Sequence, residues 1–246
     1  MKVSVVVPAR NEAALIRGTV QALLDAAMHL PRPHDVEIVV VDNDSTDDTA
    51  AIARALGPSG VVRLVRAGEQ GAARARNAGA RACAGDLLVF VDADTRVPRN
   101  GLARIVELHR SGSFEAGIFR IAALDGGLRA RLWWTFWEHV RRLPLSYAKA
   151  MPAFMFCTRS VFEEFGPFDE DVAIAEEWPI LAGLHRARRR RLIYDRTLTA
   201  RSSGRRMEMQ RFGYVRNFAK YVWAVLHRSG RLHYTDRFRA AASSPP

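Results

Sequence analysis

The sequence predicts an α/β domain in which a mostly parallel central sheet is flanked by helices. Three observations predict it. Apolar runs alternate with helical patterns through residues 2–92, in the order strand, helix, strand, helix, strand, helix, strand. The strand segments are nearly continuous in apolar residues, which is typical of strands buried on both faces. Three of them end in polar residues, at the sheet edge where ligands of such folds bind.

Each element of the first half has a local signal. Asn11 can cap the first helix, and Ser45 with Asp48 has the spacing of a capping box before the second. A third, Gly/Ala-rich helix covers residues 71–84. The predicted strands are KVSVVVPA (2–9), DVEIVVVDN (35–43), VVRLVRA (61–67) and DLLVFVD (86–92). The predicted inward side chains of the first two helices are Ile16, Val20, Leu23, Leu24, Ala27 and Met28, followed by Ile52, Ala53 and Leu56.

The second half is less regular. Pro179 falls in the first turn of a helix that begins near residue 176, a position where proline is tolerated. The helix at 128–143 is unusual because it carries Trp133, Trp134, Phe136 and Trp137. The other predicted elements are a strand at 115–123, a strand, short helix and Gly-Pro turn within 153–171, a strand at 191–195 and a terminal helix at 207–228.

The composition indicates a globular protein, with 48% hydrophobic residues in 246. Cys83 and Cys157 lie far apart in apolar surroundings, so we expect two core thiols rather than a disulfide or a zinc site. No run approaches the roughly 18 apolar residues of a membrane span, and the first residues do not form a signal peptide. The expected location is therefore the cytoplasm.

The basic residues are concentrated towards the C-terminus. The net charge is +11, and residues 186–240 hold 16 Lys+Arg against 3 Asp+Glu, which is +13 and leaves −2 for the rest. This pattern favours an anionic partner, which could be nucleic acid, a membrane surface or phosphates. A GC-rich genome explains part of it equally well, because 34 of the 37 basic residues are arginine and alanine is abundant.

Asp92 and Asp94 follow the fourth predicted strand. On an extended segment they would face the same way, with Cα atoms roughly 6.5–7 Å apart. Mg²⁺ or Mn²⁺ fits such a pair, because it takes one or two carboxylates and completes its shell with water and substrate phosphates. The alternative is a strand end and a capped turn. No G-x-G-x-x-G follows the first strand, which disfavours a common dinucleotide site.

Several motifs occur in a fixed order at ordinary spacing. They are VVVPARNE (5–12), VVVDNDSTDDT (39–49), GAARARNAG (71–79), LLVFVDADT (87–95), MFCTRSVFEEFGPFDED (155–171) and AEEWPIL (175–181). Together they resemble the family 2 glycosyltransferases, which have the GT-A fold, over roughly residues 3–220. The resemblance implies an inverting transfer from a nucleotide diphosphate sugar, of UDP or GDP type, to a hydroxyl acceptor, with Mg²⁺ or Mn²⁺ on the diphosphate.

The resemblance also implies site residues. Asp94 would bind the metal, and Asp92 would bind the metal or the ribose. Asn43 and Asp44 stand where the family often has Asp-Gly or Asn-Gly, which leaves the base of the donor open. The implied nucleotide-sugar site consists of Pro8, Ala9, Arg10, Asn11, Glu12, Asp42, Asp44, Arg76, Asn77, Asp92 and Ala93.

Glu176 and Glu177 match the acidic pair of the family, whose second member is the general base. The family usually has Asp at the second position, so a glutamate there reaches one carbon further. The alternative is that both residues merely favour a helix N-terminus. Arg205 and Arg206 match a serine–arginine–arginine element, where either would pair with the diphosphate. The alternative for that element is a solvated basic loop.

The predicted domain covers residues 1–205, with a nucleotide-binding half at 1–96 and an acceptor half at 97–205. A helical extension would follow at 206–240 and a disordered tail at 241–246. The aromatic helix either packs on the sheet, stacks on sugars or lies in a membrane interface. With the basic C-terminal third, it motivates the hypotheses of a lipid-linked acceptor and of association with an anionic membrane surface.

Two other functions compete with this one. A nucleotidyltransferase would need a glycine-rich phosphate loop early in the chain, and residues 8–12 contain no glycine. A nucleic-acid binder would use the basic, aromatic terminal segment. We do not expect nucleic acid as a partner, because the apolar residues of that segment fit an ordinary amphipathic helix.

Overall fold

The computed structural model describes residues 1–30, 35–56, 60–143, 152–172, 176–188, 191–205 and 219. Within them, the helices are α1 (Ile16–Met28), α2 (Thr49–Ala55), α3 (Ala72–Ala82), α4 (Gly101–Arg110), α5 (Leu128–Arg142), α6 (Arg159–Phe165) and α7 (Trp178–Arg188). The strands are β1 (Lys2–Ala9), β2 (Asp35–Asp42), β3 (Val62–Arg66), β4 (Leu87–Val91), β5 (Thr95–Arg96), β6 (Ala116–Ala123), β7 (Phe154–Thr158) and β8 (Leu192–Ser202). The described strands form one sheet of order β3-β2-β1-β4-β7-β6-β8-β5.

The first four strands of this order form a parallel half. β1 pairs with β2 from Lys2 opposite Asp35 to Ala9 opposite Asp42, and β4 runs parallel to β1 on the other side. The described residues of β1 and β4 are almost entirely buried, as their continuous apolar sequences predict. The register therefore brings the polar segments after Ala9, Asp42 and Val91 to one edge.

The other half is mixed in direction. β7 runs antiparallel to both β4 and β6, β8 runs parallel to β6, and β5 pairs antiparallel with β8. The mostly parallel sheet that the sequence predicts is thus strictly parallel from β3 to β4 and mixed beyond. All five residues of β7 are buried, the same pattern that a parallel strand shows, so its apolar sequence does not reveal its direction.

Helices cover both faces of the sheet. α1, α2 and α4 pack on one face, and α3, α6 and α7 pack on the other. α3 lies especially close to β1 because Gly79 has no side chain: a Cβ there would come within 2.3 Å of Val6 Cγ1. Cys83 and Cys157 are buried free thiols, as expected, and burial raises their pKa values to about 11 and about 12.

Some local expectations are wrong. Neither Asn11 nor Ser45 caps a helix, because α1 begins only at Ile16 and α2 at Thr49, and Met28 is exposed rather than inward. The sequence did not predict α4 or β5, and β8 is longer than the predicted 191–195. The terminal helix at 207–228 lies outside the described residues except for Ala219, as does the tail. No helix in the described ranges is both long and apolar enough to cross a bilayer.

Candidate active site

The loops after β1 and β2 are tied together at the carboxyl edge of the parallel half. Asn11, in the left-handed region with φ of 54°, donates its backbone N–H to Ser45 Oγ at 3.2 Å. Its side-chain Oδ1 accepts from the Thr46 N–H at 2.8 Å. The Glu12 N–H donates to Thr49 Oγ1 at 2.7 Å. Asn11 therefore joins the two loops instead of capping α1. Next to it, Pro8 is partly exposed, Ala9 is buried and Arg10 is exposed.

The loop after β2 is in turn tied to the start of α3. Asp42 is buried, and its Oδ1 accepts from the Ser45 N–H at 3.2 Å. The Asn43 side chain accepts from the Gly71 N–H at 3.1 Å. Asp44 is exposed, has a φ of 62° and accepts from Gln70 Nε2 at 2.7 Å. The two residues that depart from the family pattern thus fix this loop against its neighbour.

Arg76, on α3, connects two acidic segments that are far apart in sequence. One guanidinium nitrogen donates to Asp92 Oδ1 at 2.7 Å, and the other donates to Glu176 Oε1. Its side chain lies over the Phe168 ring, 5.7 Å from the centroid. Burial acts to lower the pKa of Arg76, but the charges of Glu176, Asp92 and Glu177 outweigh it and raise that pKa. The arginine is therefore a permanent cation between the two segments.

Asn77 is fully buried, so the alternative of a helix surface does not hold. Its nucleotide contact stays a prediction. Its Nδ2 donates to the Phe168 carbonyl at 2.9 Å and to Glu170 Oε1 at 2.8 Å, and its Oδ1 accepts from the Phe168 N–H at 2.9 Å. The amide thus fixes the segment that leads towards Glu176.

Asp92 and Asp94 lie in a turn, not on the extended segment that the spacing predicted. The Thr95 N–H donates to the Asp92 carbonyl at 3.0 Å, which closes the turn directly after β4. The buried Ala93 offers its carbonyl to Thr19 Oγ1 at 2.7 Å. Asp92 therefore faces Arg76, whereas buried Asp94 accepts from Ser202 Oγ at 3.3 Å. The two carboxylates have different partners.

The oxygen atoms at this turn suit a small hard cation. Asp94 offers a carboxylate with the Ser202 hydroxyl beside it, and the Asp92 carboxylate is partly exposed. Mg²⁺ and Mn²⁺ prefer such oxygen ligands, and Mg²⁺ usually needs only one or two protein carboxylates. In the described part of the chain, no group of three or more His, Cys, Asp and Glu residues could hold a metal. A metal held by Asp94 and Asp92 would complete its shell with water and substrate phosphates.

The residues that directly follow β8 contact two other loops, the one after β6 and the one after β1. Asp125, just after β6, accepts from Ser203 Oγ at 2.9 Å and from the Gly204 N–H at 2.7 Å. Arg205 Nη2 donates to Glu12 Oε2 at 2.6 Å. The structure thus pairs two residues that were predicted to bind the donor separately. Arg206 lies outside the described residues.

Glu176 and Glu177 directly precede α7. Glu177 is buried, with 4% of its surface exposed, and its carbonyl accepts from the Leu181 N–H at 3.1 Å. Their proximity to a helix N-terminus agrees with the alternative interpretation, but the bond between Glu176 and Arg76 goes beyond it. Sequence reasoning missed Thr19, Asp125, Phe168 and Ser202. Of these, Phe168 lies within the quoted motif at 155–171 and Ser202 just precedes the serine–arginine–arginine element, whereas Thr19 and Asp125 had no signal.

A family model described as glycosyl transferase family 2 matches residues 4–193, which is most of the chain. The chain belongs to this family. The match decides against the nucleotidyltransferase alternative.

The curated relatives are longer proteins. A dolichol-phosphate mannosyltransferase of Pyrococcus furiosus is 33% identical over 46% of this chain and 31% of its own length. An undecaprenyl-phosphate 4-deoxy-4-formamido-L-arabinose transferase of Sodalis glossinidius is 36% identical over 53% of this chain and 40% of its own. The chain therefore spans only about a third of the first relative and two fifths of the second.

Solved structures share the fold. TarS of S. aureus matches with a TM-score of 0.61 at 18% identity, over 82% of this chain and 60% of its own. The mannosyltransferase PcManGT of Pyrobaculum calidifontis, in complex with GDP-Man and Mn²⁺, matches with a TM-score of 0.59 at 24% identity, over 82% and 56%. These neighbours are GT-A glycosyltransferases, so the predicted GT-A fold is confirmed.

Proposed function

We propose that this protein is an inverting, metal-dependent glycosyltransferase that moves a sugar from a UDP- or GDP-type nucleotide sugar to an acceptor hydroxyl. The observation that carries the proposal is the Arg76 bridge. It holds Asp92, at the predicted donor end of the sheet, and Glu176, in the predicted general-base segment, on one guanidinium. A donor-binding turn and a base must meet at the same sugar, and this bridge supports such a meeting.

The donor would lie along the carboxyl edge of the parallel half. Asp42 and the interlocked loops after β1 and β2 would receive the nucleoside, and Asp94 with Asp92 would hold Mg²⁺ or Mn²⁺. When bound, such a metal neutralises charge on the departing diphosphate. Mn²⁺ in two similar solved structures, with GDP-Man in one and UDP in the other, supports this part of the proposal.

Glu177 would take the proton from the acceptor hydroxyl while the hydroxyl oxygen attacks the anomeric carbon. Arg76 would keep the Glu176–Glu177 segment in place through its bond to Glu176. Arg205 would bind the diphosphate by exchanging its bond to Glu12 for bonds to phosphate oxygens. The partial exposure of the Arg205 side chain is compatible with that exchange.

The names of the relatives support a lipid-linked acceptor, since several are transferases named for undecaprenyl phosphate and one for dolichol phosphate. Such an acceptor would require the protein to work at a membrane surface, on the cytoplasmic side. It also opens a second candidate, transfer to a lipid phosphate. A phosphate oxygen is already anionic at neutral pH, so that reaction would need no general base.

Glu177→Gln separates the two candidates. Transfer of radiolabelled sugar from UDP-glucose or GDP-mannose to bacterial membrane lipids is the assay, with and without Mn²⁺. For a hydroxyl acceptor, transfer falls by about 10²–10⁴-fold while thermal stabilisation by donor and Mn²⁺ remains. If the variant keeps transfer within about tenfold of the unsubstituted protein, the base role is wrong and the phosphate acceptor is favoured.

A further inference from the structure

Asn77, on α3, is a polar side chain that is fully buried. A buried amide costs free energy unless its donor and acceptor atoms are bonded. Nδ2 donates to the Phe168 carbonyl at 2.9 Å and to Glu170 Oε1 at 2.8 Å, and Oδ1 accepts from the Phe168 N–H at 2.9 Å. Both polar atoms of the amide are therefore bonded inside the protein.

The bonds to Phe168 have the pattern of a backbone pair. The Asn77 amide meets both the N–H and the carbonyl of one residue, as a neighbouring strand does at a hydrogen-bonded pair of an antiparallel ladder. The Phe168 ring is buried as well, and it packs edge-on against Phe90 of β4 with ring centroids 4.7 Å apart. Phe168 is thus held to α3 by its main chain and to the sheet by its side chain.

One further bond connects Phe168 to the predicted general-base segment. The Asp169 N–H donates to the Glu176 carbonyl at 2.9 Å. Glu177 follows, and its own carbonyl accepts a bond from the first turn of α7. The main chain around Glu177 is therefore held on one side by α7 and on the other by the residues that Asn77 fixes.

Two adjacent residues of α3 hold Glu176 by different atoms. Arg76 donates to its carboxylate, whereas Asn77 acts on its carbonyl through Phe168 and Asp169. When both the side chain and the main chain of one residue are fixed, the next residue has little freedom to move. A general base must lie within roughly 2.6–3.2 Å of the proton it takes, and a misplacement of about 1 Å can cost about 10²-fold in rate.

We propose that Asn77 is a positioning residue, which sets the place of the Glu177 carboxylate through the main chain at Phe168 and Asp169. In this role it needs no contact with the donor. The holding of the main chain rests on the hydrogen bonds alone. Its effect on sugar transfer rests on the proposed function.

Asn77→Asp is the test, because it keeps the size of the side chain and replaces the donor by an oxygen. The bonds from Nδ2 are lost, and a second carboxylate faces Glu170. In hydrogen exchange followed by mass spectrometry, we expect the Asp169 amide to exchange about tenfold faster or more, while peptides of β1 and β4 are unchanged. An Asp169 amide that exchanges as in the parent would overturn the proposal.

Kinetics separate positioning from a contact with the donor. With UDP-glucose or GDP-mannose and Mn²⁺, we expect kcat to fall by about 10–10²-fold and the KM for the nucleotide sugar to stay within about threefold. Thermal stabilisation by UDP or GDP with Mn²⁺ persists. If the variant loses this stabilisation, or if its KM rises while kcat stays the same, Asn77 contacts the donor and the proposal is wrong.

Glu170→Gln supplies a rescue. Alone, it leaves exchange and transfer close to those of the parent, because the glutamine oxygen still accepts from Asn77 Nδ2. Combined with Asn77→Asp, its amide donates to the new carboxylate, so we expect exchange and kcat to recover by about three- to tenfold. No recovery would mean that the lost bonds are not the cause. Arg81→Gln, an exposed change on the same helix, is the control and alters neither measurement.

A second variant, Asn77→Ser, covers the case in which Asn77→Asp does not fold. It is neutral and brings no carboxylate next to Glu170, and we expect the same pattern of faster Asp169 exchange and lower kcat. Unchanged exchange in this variant also overturns the proposal. If the Asp169 amide exchanges faster but the parent transfers no sugar from any nucleotide sugar, the holding of the segment by Asn77 is supported and the proposed function is overturned.

Discussion

The parallel half and the mixed half of the sheet use their polar residues in opposite ways. In the parallel half, β1 and β4 are almost wholly apolar, and the loops beyond the strands bond to one another through Asn11 and Asn43. In the mixed half, buried Glu138 on α5 pairs with Arg142 and Arg196, whose side chains are about half exposed. The first arrangement holds the loops of the candidate site in fixed positions relative to one another. The second surrounds one buried carboxylate with arginines that reach the surface.

Replacement of Arg76 should have the largest effect on stability and activity. Arg76 lies on α3, beside the parallel half, and its bond to Glu176 holds the segment before α7. Arg76→Met removes the cation between Asp92 and Glu176 and leaves the Glu176 carboxylate, which has little exposure to water, without it. We expect a loss of about 3–5 kcal/mol in the free energy of unfolding, measured by urea titration. Sugar transfer should fall too, even at temperatures where the variant is folded, because the Glu177 segment is no longer held.

Arg74→Met is the control on the same helix. Arg74 pairs with Glu69 and lies 3.5 Å from Glu170, but these acidic side chains are much more exposed than Glu176. We expect a loss of no more than about 1 kcal/mol. If the two variants lose the same stability, Arg76 does not have the structural role that its contacts indicate.

The parallel half could be predicted from the sequence almost residue by residue, because its signal is local. Val5 to Val7 and Leu87 to Val91 are apolar on both faces, and polar residues follow each strand. Helix starts were less predictable. Asn11 and Ser45 are favourable capping residues by sequence, yet the structure uses them to join two loops. Such a contact, 34 residues apart in the chain, competes with a local cap and leaves no pattern in the sequence.

The members of the candidate site stay predictions, and their pairings could not be predicted from the sequence. The motifs brought Glu12, Arg76, Asp92 and Arg205 to attention, each as a separate contact to the donor. The structure bonds Glu12 to Arg205 and Asp92 to Arg76. Oppositely charged groups at the same edge of a sheet can pair in several ways, and residue types alone do not say which ones do. The metal, base and diphosphate roles stay predictions.

A smaller loss of stability is expected from a change next to the end of β8. Asp125→Ala removes the acceptor of the Ser203 hydroxyl and the Gly204 N–H. Hydrogen bonds to a charged group contribute roughly 1.5–3 kcal/mol, so the unfolding midpoint in urea should fall accordingly. The KM for the nucleotide sugar should rise as well, because Asp125 holds Gly204, and the next residue, Arg205, is the predicted ligand of the diphosphate. Asp48→Ala is the control, since the exposed Asp48 side chain does not cap α2.

The smallest effect concerns acid stability, and it compares one buried carboxylate from each half. Burial acts to raise the pKa of Glu37, but bonds from Ser4 Oγ at 2.6 Å and the Ala84 N–H at 2.8 Å, with Lys2 nearby, lower it below 4.5. Burial acts likewise on Glu138, where the Tyr194 hydroxyl and the arginines lower the pKa. Both carboxylates therefore stabilise the fold above pH 4.5, and this contribution is lost as the pH falls through their folded pKa values.

Salt should separate the two carboxylates. The donors to Glu37 that lower its pKa most are neutral groups, whereas Glu138 depends in part on arginines that are about half exposed. Glu37→Gln and Glu138→Gln should each flatten the fall in unfolding free energy below pH 4.5, by on the order of 1 kcal/mol at low salt. At about 1 M salt, where screening acts within about 3 Å, the effect of Glu138→Gln should shrink and that of Glu37→Gln should persist. Equal salt dependence would mean that the arginines around Glu138 do not lower its pKa, and that the two halves do not differ in their electrostatics.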